Sequence, residues 1–237
     1  MIDTIVVRSS GVRPQVPPEG EVHLWSADLD QLAADAGILS ASERSRADRL
    51  VFTEHRRRFI AARVWCRSIL GSCLGLAPQD VPVVADSYGK PHIRAATGRA
   101  DLRFSVSHCG SLALMGVATD CNIGVDLEAP LPGASWPRVA ERFLTPEERT
   151  CIRNLSSPQR SLALAEIWTR KESLSKAQGT GLTAQVLSWT VGPACWLSRC
   201  CSGQLWVVSL HNYYPWAAAV AVERSPGGVY TLVVRRD

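Results

Sequence analysis

Ile167-Trp168-Thr169-Arg170-Lys171-Glu172-Ser173-Leu174-Ser175-Lys176-Ala177-Gln178-Gly179-Thr180-Gly181-Leu182 reads as the last turns of a long helix and its exit. Upstream, Ser157 suits the cap and Pro158 the first turn, while Gly179 suits the end. Leu164, Ile167, Trp168 and Leu174 share one apolar stripe at helical spacing. Lys171, Glu172, Ser175 and Lys176 fall away from it, and Glu172 stands one turn below Lys176 on a common face. Alone, such a pair is an ordinary solvated ion pair. Its meaning comes from the stretches around it.

Ile123-Gly124-Val125-Asp126-Leu127-Glu128 has the alternation of a strand, with Val125 and Leu127 toward the core and Asp126 and Glu128 together on the other face. Two neighbouring carboxylates repel unless a cation lies between them, and a hard ion such as Mg²⁺ takes such oxygen ligands. The plainer alternative is a solvated strand edge. Phe104-Ser105-Val106-Ser107-His108-Cys109 reads as a strand whose end, from Ser107 to Gly110, is a polar interruption. Ser107 and His108 point opposite ways, and no Gly-x-Ser-x-Gly elbow is present, so a phosphate-binding histidine fits better than a Ser–His dyad. A structural histidine is the remaining reading. Lys90 sits in a Gly-Lys-Pro turn, an ammonium on a rigid corner.

The chain has 237 residues, 46% hydrophobic and 20% charged, with mean hydropathy near zero, as expected of a soluble globular protein with a sizeable core. Its net charge of +4 does not mark a nucleic-acid binder, but the distribution is uneven. Eight arginines, from Arg44 to Arg67, crowd one segment against Glu43, Asp48 and Glu54, a face able to hold phosphates. The eight cysteines are scattered without a Cys-x-x-Cys pair, which suits reduced thiols of a cytoplasmic protein. Neither a signal-peptide core nor a transmembrane helix is recognisable.

The remaining pattern is strands and helices twice over. Strands are expected at Val22–Ser26, Val81–Ala85, Leu102–Val106, Leu112–Thr119 and Ile123–Glu128. A short helix is expected from the Asp28 cap to Gly37, then one from the Ser40/Glu43 capping box to about Val51, and a long one from Thr53 to Leu74 closed by Gly75. Residues 129–137 read as a proline-rich connection, and Thr145-Pro146-Glu147-Glu148 opens a helix. Val186–Val191, Trp196–Leu197, Leu205–Leu210, Trp216–Val222 and Tyr230–Val234 suggest a mostly antiparallel sheet.

Taken in order, Gly89-Lys90-Pro91, Phe104 to His108, Ile123 to Glu128, Arg142-Phe143-Leu144-Thr145-Pro146-Glu147-Glu148 and Trp168 through Lys176 to Leu182 resemble the 4′-phosphopantetheinyl transferase family, of the Sfp type found with polyketide and nonribosomal peptide synthases. The resemblance implies an α+β fold of two pseudo-symmetric halves, each a small mostly antiparallel sheet on a long helix, with the active site in the cleft between them. Residues 1–119 would form the adenosine and 3′-phosphate side, and residues 120–237 the metal and catalytic side. It implies Mg²⁺ on Asp126, Glu128 and Glu172. Coenzyme A, the co-substrate, would meet Arg46, Arg58, Arg63, Lys90, Ser107, His108, Lys171 and Lys176. Glu172 would be the base and Lys176 would assist catalysis. The acceptor would be an acyl or peptidyl carrier protein of a polyketide, nonribosomal peptide (antibiotic-type) or fatty acid synthase, and the enzyme a cytoplasmic monomer. Cys109 departs from a family preference for serine. An apolar patch for the carrier is expected between Pro130 and Arg142 or on the helix from Pro146. Two other classes are carried beside this one: a metal-dependent phosphodiesterase acting on a nucleotide-like diphosphate, and an RNA-binding module using the arginine face, which the carboxylates oppose. On the transferase reading neither nucleic acid nor membrane is a partner.

Overall fold

The computed structural model describes residues 2–7, 14–94, 101–119, 121–130, 136–192, 198–199, 205–210, 213, 215–223 and 230–236. The strands are β1 (Ile2–Val7), β2 (Glu21–Asp28), β3 (Val83–Ala85), β4 (Pro91–Ile93), β5 (Leu102–Cys109), β6 (Leu112–Thr119), β7 (Ile123–Glu128), β8 (Ser198–Arg199), β9 (Leu205–Ser209), β10 (Ala217–Glu223) and β11 (Tyr230–Arg236). The helices are α1 (Ala41–Asp48), α2 (Thr53–Leu74), α3 (Trp136–Phe143), α4 (Pro146–Arg153), α5 (Ser157–Gln178) and α6 (Ala184–Ser188).

Sheet order is β1-β11-β2-β6-β5 in the first sheet and β7-β10-β9-β8 in the second, with β3 and β4 as a separate hairpin. Alternation along the strands fixes the layers. On β6, Ala113, Met115 and Val117 pack under α2 with Trp65, Ile69 and Leu70. From the opposite face Leu114 and Ala118 meet Ile123, Val125 and Leu127 of β7 and Val220 and Val222 of β10. Ala219 and Ala221, facing the other way on β10, lie under Leu164, Ile167 and Leu174 of α5. The order is therefore helix, sheet, sheet, helix, an α+β fold in which each 22-residue helix covers the outer face of one sheet.

The sheets meet along one side where edge strand β5 lies beside edge strand β7. Two serine hydroxyls join them: Ser105 Oγ accepts the Val125 N–H at 3.0 Å, and Ser107 Oγ donates to Asp126 Oδ1 at 2.9 Å. A side-chain acceptor thus satisfies a buried edge N–H that a neighbouring strand would otherwise serve.

Several expectations change. The α5 cap is Ser156, bound by the Gln159 side chain, one residue before Ser157. β5 continues through Cys109, because its register with β6 runs to Leu112 and leaves Gly110, at φ 60°, for the turn. Asp28 ends β2, and the short turn of helix is at Ala36–Ile38, capped by Asp35. The capping box at Ser40 and Glu43 forms, but α1 stops at Asp48. Residues 136–143, partly read as connection, are helical. Residues 184–188 are helix, overlapping the strand expected at Val186–Val191, because the Thr183 hydroxyl caps them and turns Val186 into the core. β11 leaves the second half for the first sheet and runs parallel between β1 and β2. The strand expected at Trp196–Leu197 lies outside the described residues. Among the described residues no helix is long and apolar enough to cross a membrane. Cys66, Cys109 and Cys151 carry free thiols.

Candidate active site

Gly124 decides how closely α5 approaches β7. A Cβ there would lie 1.9 Å from the Ser173 carbonyl oxygen and 2.5 Å from the Ala177 nitrogen. With hydrogen in that place the helix backbone rests on the strand, and the two residues further along the same face, Asp126 and Glu128, reach α5 side chains. Lys176 Nζ donates to Asp126 Oδ1 at 2.7 Å and to the Val125 carbonyl at 3.1 Å. The Trp168 indole N–H donates to Glu128 Oε1 at 3.4 Å.

Asp126 is 3% exposed, and its Oδ2 is buried with no hydrogen-bond partner. Glu172 is held above the ordinary carboxylate range by burial, then by the Asp126 charge, with Lys176 pulling the other way and Glu128 adding to the rise. Glu128 is raised by burial and by Asp126, against Trp168 and Lys176. Three carboxylates thus share one negative field with one ammonium. The donors are all hard oxygens and one acceptor lacks a partner, so the set fits a divalent cation in kind. Among the described residues, however, no three acidic, histidine or cysteine side chains already converge tightly enough to form a ready metal site.

A cleft of about 350 Å³ opens beside this cluster, between the hairpin turn Tyr88–Pro91 and Phe104–Val106 on one side and Glu172, Ser175, Lys176 and Gly179 on the other. Lys90 spans it, donating to the Ala177 carbonyl near the end of α5 at 3.2 Å. Burial lowers its pKa, partly offset by Asp86. A second, apolar cavity of about 310 Å³ lies below, against Glu128, Val139, Phe143 and Trp168.

The expected arginines separate. Arg58 pairs with Asp30 and Glu54. Arg57 holds the carbonyls of Leu29, Asp30 and Leu32. Arg56 pairs with Asp48 and Arg67 with Glu43, while Arg44 and Arg49 bind Leu39 O and Ser45 Oγ. Arg46 and Arg63 do none of this; both stand over the Phe59 ring. Their charges reach His108 on β5, whose pKa is held below its ordinary value by partial loss of solvation, then by Arg63, Lys176 and Arg46. Arg46, Arg63 and Lys176 therefore surround a neutral His108 with positive charge, and Arg58 is spent on carboxylates.

One further expectation is corrected by placement. Lys171 does not reach the cleft. It is 0% exposed, and its ammonium saturates all three donors on Glu148 at 2.8 Å, Phe143 O at 3.0 Å and Leu187 O at 2.9 Å. Ser107 is buried and its hydroxyl donates to Asp126. The sequence reading overlooked Ser105, Trp168 as a donor to Glu128, and Glu148 as more than a first-turn acid. The serine alternation Ser105-x-Ser107 on an edge strand was the available signal for the first.

Carboxylates with an unsatisfied oxygen, flanked by cations from both sides of a cleft, have the charge arrangement of an enzyme's active site. Comparison with known proteins agrees. A model of the 4′-phosphopantetheinyl transferase superfamily matches residues 122–223, and a model of the 4′-phosphopantetheinyl transferase N-terminal region matches residues 23–120. The 4′-phosphopantetheinyl transferase HetI of Nostoc sp. is 40% identical over 68% of this chain and 70% of its own. A 4′-phosphopantetheinyl transferase of Bacillus subtilis is 29% identical over 71% of each chain, and Sfp of Bacillus subtilis strain 168 is 26% identical over 65% and 66%. The chain belongs to the 4′-phosphopantetheinyl transferase family and is an enzyme of that class.

Proposed function

We propose that this enzyme moves 4′-phosphopantetheine from coenzyme A to a serine of an acyl or peptidyl carrier protein and releases adenosine 3′,5′-bisphosphate. The carriers are those of polyketide, nonribosomal peptide or fatty acid synthases. Residues 1–119 serve the adenosine and 3′-phosphate end, and residues 120–237 carry the chemistry. The observation that supports this most is the pairing in one cleft of Glu172, with its raised pKa, and Lys176, one helical turn on and bonded to Asp126.

Transfer forms a bond from the serine oxygen to the β-phosphorus and breaks that phosphorus's bond to the bridging oxygen of the pyrophosphate. The serine proton must leave as the new bond forms. Glu172 faces the cleft, and it is the carboxylate lining it that would take this proton, directly or through water. Negative charge collects on the leaving bisphosphate, which the Lys176 ammonium would balance and a ring N–H of His108 would hydrogen-bond. Lys90 must exchange its bond to the Ala177 carbonyl for a ligand oxygen, which suits the electrostatic pull of a pyrophosphate. Arg46 and Arg63 hold the 3′-phosphate. Asp126, Glu128 and Glu172 would supply oxygen ligands for Mg²⁺, with the unpartnered Asp126 Oδ2 as the motive for binding. The ion would neutralise charge on the phosphoryl oxygens. No covalent enzyme intermediate is needed.

Intact-mass analysis of an apo carrier incubated with enzyme, coenzyme A and Mg²⁺ tests the reading. Gain of one phosphopantetheine unit, dependent on all three, is expected. Release of adenosine 3′,5′-bisphosphate without any carrier would favour a diphosphate hydrolase instead.

A further inference from the structure

Of the eight arginines between positions 44 and 67, Arg46 and Arg63 are the two that no hydrogen bond or ion pair occupies among the described residues. They come from different helices, α1 and α2, yet both converge on one side chain. The Arg46 guanidinium carbon is 5.7 Å and the Arg63 carbon 5.2 Å from the centre of the Phe59 ring. Two guanidiniums sharing one neighbour repel each other. Elsewhere on these helices acidic partners such as Asp30 and Glu43 settle that repulsion. Here the neighbour is a phenyl ring, which attracts both cations through its quadrupole and consumes none of their N–H groups.

The ring is itself fixed. Phe59 packs against the cluster of Leu39, Ala47, Ile60 and Val64 that locks α1 to α2. It stands one helical turn before Arg63 on α2. Two long side chains are thereby held against one ring, with their donors uncommitted and both charges reaching His108, so less rotamer freedom is left to lose when an anion arrives. A phosphate monoester is the anion this suits. It brings close to two charges and three acceptor oxygens, which match two planar forks better than the single charge of a diester.

We propose that Phe59 is a positioning residue that organises Arg46 and Arg63 into a receptor for the terminal phosphate monoester of the donor. It thereby sets the preference for coenzyme A over 3′-dephospho-coenzyme A. This rests on the reading of coenzyme A as donor given above. A purely structural Phe59 would support both donors equally, since they differ only in that one phosphate.

The test is calorimetric binding of coenzyme A and of dephospho-coenzyme A to the full-length enzyme with no carrier present, comparing wild type, Phe59→Leu and Phe59→Tyr. Loss of two cation–ring contacts is expected to weaken coenzyme A by about five- to thirtyfold in Phe59→Leu. Dephospho-coenzyme A is expected to bind unchanged, and Phe59→Tyr to restore the difference. Arg46→Gln/Arg63→Gln should abolish the preference and make Phe59→Leu silent on that background, a readout that survives if Phe59→Leu alone folds poorly. Equal weakening of both donors, or no weakening of coenzyme A, would overturn the proposal. Wild-type enzyme that binds neither donor would remove the coenzyme A reading itself, and this one with it.

Discussion

Lys176 Nζ lies 2.7 Å from Oδ1 of Asp126, the same oxygen that receives the Ser107 hydroxyl, while Oδ2 of that carboxylate is buried without a partner. One half of the carboxylate is thus fixed by the fold and the other half is left for a ligand. Asp126→Asn keeps the shape and removes the charge. Transfer is expected to fall by roughly a hundredfold or more, with Tm near that of wild type, because relief of the repulsion with Glu128 and Glu172 offsets the lost Lys176 ion pair. A Tm series beside the transfer rate checks both halves of the statement.

The Lys171–Glu148 pair is the fold's main buried electrostatic commitment in the second half. Glu148 accepts from Thr145 N and Lys171 on one oxygen, and from Val191 N and Gly192 N on the other. Lys171→Ala strands that carboxylate and should cost about 3–5 kcal/mol. The combined Lys171→Met/Glu148→Leu change should cost far less than the sum of the two single changes, read as a double-mutant cycle in urea. Additive losses would mean that the two groups do not act together.

Gly124→Ala tests the close approach of strand and helix. The added methyl meets helix backbone and not a flexible side chain, so α5 must shift. We expect a loss of about 3 kcal/mol or more in denaturant melts, together with loss of transfer, because Glu172 and Lys176 move with the helix.

Glu43 supplies a pH dependence. Burial alone would raise its pKa, but the Ser40 N–H and the Arg67 guanidinium outweigh that and bring it below the ordinary 4.5. A depressed folded-state value means the stabilisation is fully present above 4.5 and fades as pH falls through the folded-state pKa. The difference in Tm between wild type and Glu43→Gln should therefore be constant at neutral pH and shrink below pH 4.5. A difference that grew on acidification would contradict the sign.

The sequence disclosed whatever depends on local periodicity and caps. β6, β7 and α2 fall at their expected residues, since alternation and a closing glycine are local signals. Asp126, Glu172 and Lys176, which the family resemblance groups together, share one neighbourhood. Facts about tertiary pairing stayed hidden. Lys171 looks like its neighbour Glu172 on a helical wheel, and only Glu148, arriving from α4, makes burial tolerable there. Likewise nothing local distinguishes Arg58 from Arg63; Asp30, twenty-eight residues earlier, does. Tyr230–Arg236 carries the pattern of any buried strand and says nothing of which sheet receives it.

The most direct measurement is the transfer rate of Glu172→Gln at saturating coenzyme A, Mg²⁺ and carrier, alongside its unfolding midpoint. A base placed in the cleft predicts a loss of about a hundredfold to ten-thousandfold in a protein that unfolds like wild type. A folded Glu172→Gln enzyme that loads the carrier at nearly the wild-type rate would contradict the account.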